Sequence, residues 1–213
     1  MIVGILGKPG HGKTLLLTFL AWMTSKYGKL YCEAMLYKDI SSRKNDKDIF
    51  ANYHLEFPFN VVETFDDLEK MRKGSAFLDE FWLWCDSRLS SSTKTKAVSS
   101  LALIGRKRGL NTYYTSQTWG KIDPRVRSIT DILLVPDFNK RTYVVKVMVL
   151  DTSEKDVVVL NEFSFYGKPF FDMYDTSEEI GSLYETDSKG NKKWKTSDKN
   201  NSGDIKELMQ KKN

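Results

Sequence analysis

One run of eight residues, Gly7-Lys8-Pro9-Gly10-His11-Gly12-Lys13-Thr14, constrains this chain more than any other feature. It fits G-x-x-x-x-G-K-[ST], in which glycines let the backbone curl until successive N–H groups face a single point. At the amino end of a helix such a curl attracts phosphate, because unpaired N–H groups and the helix dipole both favour an anion. The flanks supply that context: Ile2 to Leu6 is an apolar run of strand length, and Leu15 to Met23 suits a buried helix. The segment from Gly7 to Leu15 is therefore expected to cradle a nucleotide triphosphate. Lys13 would neutralise the β- and γ-phosphates and the Thr14 hydroxyl would ligate Mg²⁺. His11 lends the loop its backbone and is given no acid–base role.

A second acidic half is expected at Asp79 and Glu80. Ala76-Phe77-Leu78 is an apolar strand, and in a parallel sheet its end lies on the same edge as the phosphate loop. Asp79 would hold Mg²⁺ through water, and Glu80 would polarise a water for attack on the γ-phosphate. Gln117 ends the next predicted strand and reaches that edge, to sense the γ-phosphate, to position water, or simply to satisfy a turn. Arg106 and Arg108 precede the same strand, and an arginine from a neighbouring subunit can stabilise transition-state charge. Arg88 is a further candidate, with an ordinary surface arginine the alternative for each.

The 213 residues suffice for one substantial core plus a tail. Of the net charge of +5, the segment from Thr186 to Asn213 supplies +4, with eight lysines against four acidic residues. The body is nearly neutral, which argues against a uniformly basic nucleic-acid-binding domain while leaving local clusters such as Arg106-Lys107-Arg108 and Arg125-Val126-Arg127. Cys32 and Cys85 have no paired spacing, so neither a disulfide framework nor a zinc site is expected, and a reducing cytoplasm fits. No apolar run approaches the roughly 20 residues of a membrane span, and Met1 to Leu6 carries no cationic leader. The expectation is a soluble, unexported chain.

Strands and helices alternate along the sequence. Leu30 to Met35 and Ile49 to Phe57 read as strands, and Thr64 to Arg72 as a helix with Thr64 at its N-cap and Gly74 beyond its end. Ser87 to Thr95 has loop composition, and Ala97 to Ile104 suits a helix. Asn111 to Gln117 is a β-branched and aromatic strand, followed by a short helical turn after Pro124 and a strand at Asp131 to Val135. Arg141 to Leu150 and Asp156 to Phe165 read as an antiparallel hairpin at the sheet edge. The expected division is a body over 1–185 and a Lys-rich flexible tail over 186–213, with too few large apolar residues to offset chain ordering.

The amino-terminal phosphate loop, Phe77-Leu78-Asp79-Glu80, and Gly105-Arg106-Lys107-Arg108-Gly109-Leu110-Asn111-Thr112-Tyr113-Tyr114-Thr115-Ser116-Gln117 together resemble the HerA/FtsK superfamily of DNA-pumping ATPases. Within it the chain looks most like genome-packaging ATPases of archaeal and other tailless viruses, with zonula occludens toxin-like phage morphogenesis proteins close behind. Residues 1 to about 136 carry the likeness, and Thr118 to Arg127 and Ile129 to Leu133 are similar to the segment after the sensor strand in those proteins. The resemblance implies an α/β, RecA-like P-loop NTPase with an extra strand between the Walker A and Walker B strands. It further implies a ring, hexamer or pentamer, around double-stranded DNA, powered by ATP with Mg²⁺. Carried over by position, Lys13 and Thr14 are Walker A, Asp79 and Glu80 are Walker B, Gln117 is the sensor, and Arg106 or Arg108 is the trans-acting finger. The implied setting is the host cytoplasm near assembling virions, with a capsid or portal-vertex protein as partner and no stable membrane insertion. Departures are a barely basic core and no recognisable DNA-recognition domain. A toxin-like morphogenesis ATPase and, more distantly, a nucleoside kinase are the competing functions, the latter opposed by the lack of clustered zinc cysteines.

Overall fold

A computed structural model describes residues 1–36, 45–81, 108–152, 158–175, 184–186 and 192–194. The first apolar run forms β1 (Ile2–Leu6), and the phosphate loop leads from it into α1 (Lys13–Tyr27). Gly28, at φ 87, breaks the chain into α2 (Lys29–Leu36). Then come β2 (Ile49–Ala51), β3 (Asn60–Val61), α3 (Phe65–Lys70) and β4 (Ser75–Leu78). Past residues 82–107 lie β5 (Asn111–Ser116), α4 (Pro124–Ile129), β6 (Ile132–Asn139), β7 (Val144–Asp151) and β8 (Val158–Tyr166). A tight helical segment, Lys168–Met173, closes the described body, and β9 (Tyr184–Thr186) pairs antiparallel with β10 (Lys192–Trp194).

The main sheet has eight strands in the order β3-β2-β4-β5-β1-β6-β7-β8. From β3 to β6 neighbouring strands run parallel, whereas β6, β7 and β8 pair antiparallel at the other side. The expected α/β class, mainly parallel sheet and antiparallel edge hairpin are all present. So is the extra strand: β5 separates β1 from β4. The hairpin extends further than expected, because β6 runs through Pro136 to Asn139 and turns directly into β7. Pairing of β6 with β1 stops at Leu134, so Pro136 breaks no ladder on that side.

Period-two alternation sorts the strands' side chains onto two faces. Val3, Ile5, Phe77, Tyr113 and Leu134 pack with α1, whose Leu16, Leu17 and Leu20 are fully buried. Ile2, Ala76, Leu78 and Tyr114 pack on the opposite face with Leu68 and Val126. The Phe77 and Tyr113 rings stack across β4 and β5 with centroids 4.8 Å apart. Phe170 covers α1 from outside, with its ring 5.3 Å from Phe19 and 5.5 Å from Trp22.

Two expectations are corrected. Leu30 to Met35 is helical, not a strand: Lys29, Cys32, Glu33 and Leu36 form its buried stripe, a helical spacing, and the segment lacks β-branched residues. The strand expected over Ile49 to Phe57 ends at Ala51, because the Asn52 side chain turns in to bond the Asp79 main chain. The expected loop at Ser87 to Thr95 and helix at Ala97 to Ile104 lie outside the described residues. No helix among the described residues is long and apolar enough to cross a membrane.

Candidate functional site

Because β1, β4 and β5 run parallel, their carboxyl ends share one edge, where the phosphate loop, Asp79-Glu80 and Gln117 all sit. The loop takes its shape from left-handed turns at Gly10 (φ 81) and Gly12 (φ 84), which any side chain would strain. It is tied down by the Gly7 N–H, which donates to the Ser116 carbonyl at 3.3 Å, and by the Leu16 N–H, which donates to the Gly12 carbonyl at 2.9 Å. Lys13 opens α1 and is buried, its Nζ reaching back over the loop to the Lys8 carbonyl at 3.4 Å.

Thr14 and Asp79 meet. The Thr14 hydroxyl donates to Asp79 Oδ2 at 2.8 Å, across 65 residues of chain. The Thr115 hydroxyl donates to the other carboxylate oxygen, as does the Glu80 N–H at 3.1 Å. Asp79 is only 5% exposed, and burial pushes its carboxyl above the usual range despite the hydrogen bonds from Thr115 and Thr14. A buried carboxylate beside a hydroxyl is a hard-oxygen pair suited to Mg²⁺, whose charge would offset the cost of burying the acid.

Glu80 leaves β4 at φ 47, a left-handed conformation costing a non-glycine residue about 1–2 kcal/mol. Hydrogen bonds hold it there: the Glu80 N–H donates to Thr115 Oγ1 at 2.8 Å as well as to Asp79. From the other flank, the Asn52 carboxamide accepts from the Asp79 N–H at 2.7 Å and donates to the Asp79 carbonyl at 2.9 Å. Tyr174 lies close enough for the Asp79 charge to act on it. Burial first, then that charge, raise its phenol to about 12, so it stays protonated.

Gln117 comes directly after the last residue of β5 and is half-buried. Arg108 lies at the other end of that strand, away from its own phosphate loop, and its guanidinium donates to the carbonyls of Glu69 and, at 2.8 Å, Met71. Arg106 and Arg88 lie outside the described residues. Sequence reasoning missed Thr115, Asn52 and Tyr174. Thr115 had a signal, since it shares a face of β5 with Tyr113 close to the strand end, but Asn52 and Tyr174 had none.

No family model and no curated protein matches the chain. Solved structures do match in fold. One is the N-terminal domain of zonular occludens toxin from Neisseria meningitidis, 17% identical with a TM-score of 0.53, over 82% of this chain and 98% of that one. Others are the genome packaging NTPase of Sulfolobus turreted icosahedral virus 2 in complex with ATP-gammaS (12% identical, TM-score 0.45, 74% and 95% covered) and a KaiC-like protein from Pyrococcus horikoshii (14%, 0.43, 77% and 84%). The chain thus has the α/β P-loop NTPase fold, and the likeness in fold to a zonula occludens toxin domain read from its motifs is met among these structures.

Proposed function

We propose that this chain hydrolyses ATP to move double-stranded DNA, as a hexameric or pentameric ring that packages a viral genome into a capsid. The observation that carries the hydrolytic part is the 2.8 Å contact between Thr14 and Asp79, which joins the phosphate loop to the acidic strand end at one point. In this reading the amides of Gly7 to Leu15 hold the phosphates and Lys13 draws charge from the β- and γ-oxygens. Thr14 and Asp79 hold Mg²⁺, which when bound neutralises charge developing between those phosphates. Glu80 takes the proton of the attacking water, and Gln117 orients that water or registers the γ-phosphate. Arg106 or Arg108 of an adjacent subunit serves as the finger. The ATPase body is 1–185, with 186–213 as a Lys-rich appendage. A capsid or portal-vertex protein is the assembly partner, and the host cytoplasm the setting.

ATP turnover by wild type and Glu80→Gln, with and without duplex DNA and across a salt series, tests this reading alongside a mass measurement of the assembly. Turnover stimulated by DNA, weakening as salt rises, and a mutant that binds ATP but hardly hydrolyses it are expected. Unstimulated hydrolysis by an assembled ring would count against DNA transport, and phosphate transfer to a nucleoside would replace it with a kinase. A second reading, a zonula occludens toxin-like morphogenesis ATPase, draws on the likeness in fold to that toxin's domain. Flotation with lipid vesicles separates the two.

A further inference from the structure

We infer that Asn52 is a positioning residue for hydrolysis, acting through the main chain of Asp79 on the placement of Glu80, an inference that rests on the roles proposed above for those two acids. Ladder pairing of β4 with β2 ends at Ala51 and Phe77, and with β5 at Leu78 and Tyr114. Beyond those points the strand's N–H and carbonyl groups need new partners, because Asp79 is buried. A carboxamide sets an N–H donor beside an oxygen acceptor at the spacing of a peptide group, and Asn52 uses both on the same residue, accepting at 2.7 Å and donating at 2.9 Å. Thr115 Oγ1 takes the next N–H, that of Glu80, at 2.8 Å. Side chains from both neighbouring strands therefore continue the sheet where its backbone ladder stops. Between them they fix the one turn at which Glu80 adopts φ 47.

The backbone that carries the Asn52 side chain is itself anchored. The Asn52 main-chain N–H donates to the Phe77 carbonyl at 3.4 Å, and the next residue's hydroxyl, on Tyr53, lies 3.3 Å from Thr18 of α1. Further along, Leu55 bridges Tyr174, and the Glu56 N–H donates to the Met173 carbonyl at 3.0 Å. A catalytic carboxylate needs this kind of fixed support, since small misplacement costs turnover before it costs binding.

Two substitutions test the role in the full chain. Asn52→Leu keeps the shape and removes both bonds, and Asn52→Asp keeps the acceptor and removes the donor. We expect kcat for ATP to fall about 10²-fold in Asn52→Leu, and by less in Asn52→Asp. KM and the affinity for a fluorescent ATP analogue with Mg²⁺ should stay within about threefold of wild type. In a Glu80→Gln background, Asn52→Leu should cost less than about twofold more, because a group acting through Glu80 has nothing left to position. Turnover unchanged in both Asn52 variants overturns the inference, as does an equal loss with and without Glu80, or a parallel loss of affinity and folding midpoint. Should Asn52→Leu not fold, Asn52→Asp carries the same comparison. If Glu80→Gln itself turns over normally, the reading of the site fails first and takes this inference with it.

Discussion

Asp79 meets two opposed demands. In the proposed role it must be ionised to serve a cation, yet it is buried, and burial raises its carboxyl above the usual range. An acid whose folded pKa exceeds its unfolded value costs stability wherever it is ionised, and that cost fades as pH falls through the folded value. Asp79→Asn should therefore abolish turnover while raising the nucleotide-free melting midpoint by about 2–4 °C near neutral pH, a gain of roughly 1 kcal/mol. The gain over wild type should shrink in melts run toward pH 4, and a midpoint that drops at neutral pH would refute the account. Cys32 is the contrasting case: burial raises its thiol to about 11, and it lies against Thr24 Oγ1 at 3.3 Å. With Cys85 replaced by serine, iodoacetamide at pH 8 should leave the folded chain unlabelled and modify it on unfolding. Labelling at the rate of a free thiol would show that Cys32 is not enclosed.

At the level of elements, the turn that delivers β4 to the site is the most exacting. Gly74 has φ 95, and a Cβ there would lie 2.4 Å from the Asp48 carbonyl oxygen, which also accepts from the Ser75 N–H at 2.9 Å. Gly74→Ala should cost about 2–4 kcal/mol in urea unfolding, from left-handed strain plus a clash with main chain that cannot swing aside. The elements whose own residues carry turn or cap chemistry were the legible ones. Gly7 to Thr14 declares its own geometry, and Thr64 marks its helix by a capping box with Asp67. The segment Leu30 to Met35 misled because two of the residues that α2 buries are charged. Lys29 is enclosed through the Gly109 carbonyl at 2.7 Å and Asp46 at 3.3 Å, and Glu33 through Asn111 at 2.8 Å. A polarity pattern assigns such residues to solvent, and only tertiary partners reveal otherwise. Asn52 was illegible for a related reason, since its partners are main-chain atoms 27 residues away, which no side-chain pattern encodes.

For the molecule as a whole, the parts of the site come from distant stretches of chain, so ligand binding and global folding are linked. A nucleotide present at 100 times its Kd should raise stability by about 2.7 kcal/mol, visible as a melting shift with Mg²⁺-ATP. Lys13→Ala should lose most of that shift, and an undiminished shift in the variant would place the nucleotide elsewhere. The insertion of β5 between β1 and β4 also sets a distance. Two strand spacings, about 9–10 Å, separate the strand carrying the glycine curl from the strand carrying the acids. That gauge is held by backbone pairing on both flanks of β5, so substitution can change what reaches across the gap but not how wide it is.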